Sequence, residues 1–381
     1  MKIIVSVRDA IGTGGGTVAI NTSREMSKIG HEVVIVSDYP VNVQGCKNEF
    51  MPLGKNLHIW QPKIKLLKIL RHFLQLLLFS IWGMQKLKKY ESNGYYSIDH
   101  NIESFGADIL VMHNVFSFQF LSDQRPFIYK IKQLLNPIFL FRILREWICV
   151  NFGRSKLLVS VSEASVFEVN YLNKKNKEMR VIENGVDLNK FTPLSFDDKR
   201  LLKEKLGCLD KFIILFVGHE FVRKRLDLAI ETLSKLDDRF VLWVIGGRSE
   251  NLVYSKELVT RYSLENRVTF LGAINAPEKY MAVADCFILL SDYETWGMVA
   301  VEALATGTPC VMTNVGCAPS VIKNGYNGYI VNNSQEACDS IIKIEKNIEN
   351  IDYQLNSRSS VEKYSWEKIG KKYSDLISEL F

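Results

Sequence analysis

Short apolar runs alternate with amphipathic stretches along most of the chain. The run IIVSV (3–7), bounded by polar residues, has the pattern of a strand buried on both faces. A glycine-rich turn, IGTGGGT (11–17), follows, then a helical stretch, VAINTSREMSKIG (18–30), closed by Gly30. A second apolar run, HEVVIVS, covers 31–37. Strand, glycine turn, helix, strand predicts a βαβ unit and so a parallel sheet. The strand pattern resumes at ADILVMHN (107–114), KLLVSVSE (156–163) and MRVIENGVD (179–187).

The second half repeats the scheme. Strands are predicted at 212–218, 240–247, 267–272, 286–291 and 309–313, with helices at 225–236, 251–263, 276–283 and 298–306 between them. Pro193 and the polar stretch LSFDDKR place a boundary near residue 190. The expected organisation is a first domain over 1–190, a second over 191–362, and a terminal helix over 363–381. That helix shows Trp366, Ile369, Tyr373, Leu376, Ile377 and Leu380 at helical spacing, a stripe expected to pack back on the first domain. The fold class is therefore α/β, with two Rossmann-like doubly wound domains facing a central cleft. Ligands are expected outside the carboxyl ends of the strands.

Composition narrows this only at the margins. A chain of 381 residues is long enough for two domains, and 47% apolar with 24% charged residues excludes a disordered or collagen-like chain. The seven cysteines are odd in number and contain no C-x-x-C pair, which argues against a disulfide framework or a structural zinc and for a cytoplasmic protein. The apolar run after Met1 and Lys2, IIVSV, is only five residues long, shorter than a secretory signal needs.

The net charge of +6 matters where it clusters. Phe50 to Tyr90 contains no carboxylate, and Lys63, Lys65, Lys68, Arg71, Lys86, Lys88 and Lys89 bracket an apolar centre. Its longest uncharged run, Phe73 to Gln85, is 13 residues, short of the roughly 20 that span a bilayer. Gln124 to Arg145 is similar. Both stretches, 63–89 and 125–145, read either as peripheral attachment to an anionic membrane surface or as helices with solvated lysines. No nucleic-acid motif accompanies them, so no nucleic-acid partner is expected.

The richest chemistry lies in SDYETWGMVAVEALATGTP (291–309). Glu294 follows a strand, Trp296, Gly297 and Met298 open a helix, and Glu302 lies about one turn inside it. A helix head offers unpaired N–H groups to a phosphate. Two carboxylates beside it can accept hydrogen bonds from sugar and ribose hydroxyls, although two solvated glutamates beside an ordinary helix start would fit the spacing equally.

This segment resembles the signature of the family-four retaining glycosyltransferases, enzymes of GT-B fold. The likeness extends to ENGVDLNKF (183–191), FVGHEFVRKRLDLAI (216–230), APSVIKNGYNGYIV (318–331) and YSWEKIGKKY (364–373). In the first half it is confined to the glycine turn, DILVMHN and VSVSE. The resemblance implies transfer of a sugar from a UDP-, GDP- or ADP-sugar donor to a glycan or lipid-linked acceptor, in surface polysaccharide or lipopolysaccharide assembly at the inner face of the cytoplasmic membrane. It assigns Lys224, with Arg223, to the donor diphosphate, Glu294 to the donor sugar and Glu302 to the ribose. Gly297, Met298 and Val299 would offer backbone N–H groups, and Gly218 and His219 would border the nucleotide. Gly14, Gly15 and Gly16 would line the cleft opposite, and His113 matches a family histidine at a strand end.

Three positions depart from the family pattern: His219 replaces an arginine, Arg225 a glycine and Ser320 a glutamate. No Asp-x-Asp pair occurs, so neither a metal nor another cofactor is expected. The glycine turn lacks the G-x-G-x-x-G form, which argues against a dehydrogenase. A sugar-nucleotide epimerase of the same fold and a catalytically degenerate glycan-binding scaffold stay open as alternatives.

Overall fold

In a computed structural model of the chain, residues 1–122, 127–247, 249–347 and 351–381 are described. They divide into two compact units. One is Met1–Asn184 with Trp366–Phe381, the other Gly185–Ser365.

The first unit holds a seven-stranded sheet. Its strands are β1 (Lys2–Ser6), β2 (Glu32–Ser37), β3 (Cys46–Phe50), β4 (Tyr96–His100), β5 (Ile109–Met112), β6 (Leu157–Ser160) and β7 (Glu178–Val181). They lie in the order β3-β2-β1-β4-β5-β6-β7, and every pairing is parallel. Gly14, Gly15 and Gly16 are not a turn but the first turn of the helix Gly14–Lys28. Thr13 caps it, its hydroxyl accepting from the Gly16 N–H at 3.0 Å. Glycine is required there by crowding: a Cβ on Gly16 would collide with the Asp9 carbonyl.

The basic apolar stretch 63–89 lies mostly in a single helix, Lys65–Glu91, whose 27 residues are long and apolar enough to cross a membrane by length and composition. Charged residues did not end it, because Lys65 and Lys68 continue the helix on a solvated face and Arg71 reaches back to the Trp60 carbonyl. Its inner face packs on the sheet through Leu76, Phe79 and Leu87. The second stretch forms the helices Phe127–Leu134 and Pro137–Asn151; residues 125 and 126 lie outside the described residues. The terminal helix Trp366–Leu380 lies on the Gly14–Lys28 helix, with Gly370 set against Glu25 and the Ser374 hydroxyl 2.7 Å from His31 Nε2.

The second unit holds six parallel strands: β8 (Phe212–Gly218), β9 (Phe240–Gly246), β10 (Val268–Gly272), β11 (Cys286–Leu289), β12 (Cys310–Met312) and β13 (Gly328–Ile330). Their order is β10-β9-β8-β11-β12-β13, so the strand order reverses between β8 and β11. In doubly wound sheets that reversal opens a crevice at the carboxyl ends.

Candidate active site

The crevice of the second unit brings together residues far apart in sequence. The loop after β8 carries Arg223 and Lys224, and the loop after β11 carries Glu294. The Glu294 carboxylate lies 2.9 Å from Lys224 Nζ and 3.2 Å from Arg223 Nη1, and accepts from the Ser291 hydroxyl at 3.1 Å. Burial pushes this carboxyl up, but Lys224 and Arg223 outweigh burial and hold it below the usual carboxylate range. Arg223 is further engaged by Glu220 at 2.7 Å and by the Tyr293 carbonyl at 2.5 Å. Gly218 ends β8 without a side chain because a Cβ there would fall on Lys224 Cδ. His219, next along, is exposed.

The helix Met298–Ala305 begins at Gly297, whose φ of +86° belongs to the left-handed region. The approach to it is pinned. Trp296 is buried edge-on against Tyr364, with ring centroids 5.2 Å apart, and its carbonyl accepts from the Cys317 N–H at 2.6 Å. Ala300 N–H returns to the Gly297 carbonyl, whereas the N–H groups of Met298 and Val299 have no acceptor among the described residues. They form an anion-binding helix head beside Lys224 and Glu294. The carboxylate of Glu302, one turn inside, has no hydrogen-bond partner among the described residues; its backbone carbonyl accepts from the Thr306 N–H at 3.2 Å. Burial raises its pKa to about 7, with Lys190 and Lys224 pulling down and Glu278 pushing up.

Arg225, where the family pattern has glycine, adopts φ +54° and ψ +52°. That conformation costs an L-residue roughly 1–2 kcal/mol. Its guanidinium is tied to Asp227 at 3.0 Å and to Asp292 at 2.9 Å, both partly exposed pairs, which contribute about 0–1 kcal/mol each. The two effects nearly cancel, so Arg225→Gly is expected to leave stability within about 1 kcal/mol. Arg225→Val, β-branched and without the ion pairs, is expected to lose roughly 2 kcal/mol. Urea unfolding followed by tryptophan fluorescence reads the difference; equal losses in both would show that the backbone is not strained there.

In the first unit Gly15 and His113 are neighbours at the carboxyl ends of β1 and β5. A Cβ on Gly15 would strike the Asn101 side chain and come within 3.2 Å of the His113 ring. His113 is buried, its Nε2 is 2.8 Å from His100 Nδ1, and burial lowers its pKa to about 3. It is therefore a neutral hydrogen-bonding group in this setting. The sequence pattern missed His100, Asn101 and Ile102. The last two have φ of +64° and +54°, a conformation that no local pattern signalled. It also missed the buried ion network behind them, in which Glu103 joins Arg8 at 3.3 Å and Arg145 at 3.2 Å. Among the described residues no three His, Cys, Asp or Glu side chains gather as a metal site.

Residues 198–364 match the family model described as "Glycosyl transferases group 1". The chain is similar to N-acetyl-alpha-D-glucosaminyl L-malate synthase of Bacillus anthracis, 28% identical over 61% of this chain and 62% of that protein. It thus spans about three fifths of that relative's length. Among solved structures it is similar to sucrose-phosphate synthase from Thermosynechococcus elongatus, with a TM-score of 0.79 at 19% identity over 100% of this chain and 99% of that one. It is also similar to HepE of Anabaena in complex with UDP-glucose, with a TM-score of 0.70 at 18% identity over 100% of both chains. Residues 198–364 are thus similar to the glycosyl transferases group 1 domain, in a chain with the fold of the GT-B glycosyltransferases.

Proposed function

We propose that this chain moves a sugar, with retention at the anomeric carbon, from a nucleoside-diphosphate sugar to a saccharide or lipid-linked acceptor. The observation that carries the reading is the contact of Lys224 and Arg223 with Glu294 beside the open head of the Met298–Ala305 helix. The donor's diphosphate would lie on Lys224, Arg223 and the N–H groups of Met298 and Val299. As the bond from the anomeric carbon to the phosphate oxygen breaks, these groups stabilise the charge that grows on that oxygen. An acceptor hydroxyl attacks from the same face, and its proton passes to the departing phosphate. Glu294 would hold donor-sugar hydroxyls, Glu302 the ribose, and Gly15, Gly16 and His113 the sugar or acceptor. The complex of HepE with UDP-glucose makes a uridine donor the first to test.

The setting we propose is the cytoplasmic face of a membrane, in surface polysaccharide or lipopolysaccharide assembly. The helices of the two basic stretches support it, packing through Phe73 and Phe141. They leave Leu66, Leu70, Leu140 and Leu144 exposed among lysines and arginines, the make-up of an interfacial surface.

The test is a thermal-shift series with UDP, GDP, ADP and their sugars in a chelating buffer. A ligand at a hundred times its Kd adds about 2.7 kcal/mol of stability. One nucleotide is expected to raise Tm with chelator present. No shift with any of them, in folded protein, would count against the donor site, and a shift seen only with added divalent metal would count against metal-independent binding.

A further inference from the structure

The second sheet carries a cavity at the edge opposite Glu294. Asp285 immediately precedes β11, and Thr308 and Pro309 immediately precede β12, so this cavity of about 370 Å³ lies at the amino ends of the strands. Its volume is that of a small-ligand site. One wall is apolar and partly in water: Phe196 is 72% and Leu209 41% exposed, beside Leu194 and Pro309.

The other wall is cationic. Lys199 and Lys203 both bind Asp285, at 3.0 and 2.5 Å, so two positive charges share one negative charge. Arg200 lies between them in sequence, is exposed, and has no ion-pair partner among the described residues. A more open depression of about 350 Å³ shares Lys203, Leu209 and Asp285 and adds charges of both signs, Lys211, Arg239 and Lys346 with Asp210 and Glu345. Tyr353 also lines the cavity. It is 7% exposed, and its buried hydroxyl has no hydrogen-bond partner. Burial closes that hydroxyl off from the cavity, so Tyr353 lines it with the rest of its side chain.

We infer that this cavity binds an alkyl phosphate. The chain would lie on Leu194, Phe196 and Leu209, and the phosphate would meet Arg200 and the uncompensated charge of Lys199 and Lys203. The charge balance selects an anion, and the apolar wall selects one with a hydrocarbon body. None of these residues belongs to the proposed donor site, so the inference stands or falls separately from sugar transfer.

The test is isothermal titration calorimetry of the full chain with octyl phosphate below its micellar concentration. One saturable site per chain is expected, while inorganic phosphate and the uncharged octyl glucoside give no saturable heat at the same concentration. Arg200→Glu is expected to weaken binding about tenfold, the equivalent of a single charge-assisted hydrogen bond. Leu209→Trp, at an exposed lining position, is expected to close the mouth and abolish it. Arg200 is exposed and has no ion pair among the described residues, so the Tm of Arg200→Glu should not fall, which separates lost binding from lost folding. An absence of saturable heat with folded wild-type protein overturns the site. Unchanged affinity in Arg200→Glu and Leu209→Trp overturns it too, and octyl glucoside binding as tightly as octyl phosphate overturns the anionic head.

Discussion

Lys224→Ala is expected to lower sugar transfer by about two to three orders of magnitude, the loss that follows removal of one group aimed at charge developing in a transition state. Lys224 is 8% exposed and reaches Glu294 across Gly218, so its ammonium is held in position. Arg223 cannot replace it, since that guanidinium is already shared between Glu220 and Glu294. The fall should lie mainly in kcat, because the phosphate charge that Lys224 meets is largest as the donor bond breaks.

A purely structural role for Lys224 predicts something else. Breaking a buried ion pair from one side costs about 3–5 kcal/mol, because the partner charge is stranded. Glu294, freed of Lys224, would then be governed more by burial, its carboxyl would rise, and the variant should be least stable at neutral and alkaline pH. Removing both charges, in Lys224→Ala with Glu294→Ala, is expected to restore much of the stability and none of the transfer. Chemical denaturation and initial rates on the same preparations decide it. Transfer by Lys224→Ala that falls only in proportion to its folded fraction would remove Lys224 from the chemistry.

How much of this could be read from the chain follows from where each signal resides. Continuous apolar runs declared β1, β2, β8 and β9, since strands buried on both faces carry nothing else. β3 (CKNEF) and β4 (YSIDH) did not declare themselves. β3 is a polar edge strand, and β4 buries Ser97, Asp99 and His100, which meet Asp108, the Glu103 and Ser104 N–H groups and His113, all beyond the strand itself. The turn-like glycines 14–16 form a helix start because tertiary crowding against Asp9, Ala10 and Asn101 decides their role, and local propensity does not show crowding. In the site, the helix head and its two glutamates were legible from local spacing. The joining of Lys224 to Glu294 needed the reversal between β8 and β11, a property of topology that no local pattern records.

The same principle, burial setting charge, gives Glu302→Gln opposite effects on stability and on binding. The Glu302 carboxyl has its pKa raised by burial from 4.5 to about 7. The folded chain therefore retains a proton that the unfolded chain has released. Stability falls as pH rises from about 4.5 to about 7, and the full penalty is present above that. At 1.36 kcal/mol per pKa unit the penalty reaches roughly 3 kcal/mol at pH 8, an upper bound for a carboxyl that keeps some contact with water. Glu302→Gln removes it and should be the more stable protein at pH 8, while matching wild type near pH 4. Asp38 and Asp99, raised to about 7 and about 8 by their own burial, slope the same way in both proteins, so the difference between the two curves isolates Glu302. Nucleotide binding should move in the other direction. Hydrogen bonds from a ribose diol to a carboxylate contribute about 1.5–3 kcal/mol, so the amide is expected to bind about tenfold or more weakly at pH 8. Wild-type affinity should rise as pH increases through 7, while the variant's stays flat. Lys224 is one of the charges that hold the Glu302 carboxyl down, so in Lys224→Ala the wild-type midpoint should move upward. Calorimetric titrations of the three proteins from pH 6 to 9 check this, and a pH-independent affinity in the wild type would place the ribose away from Glu302.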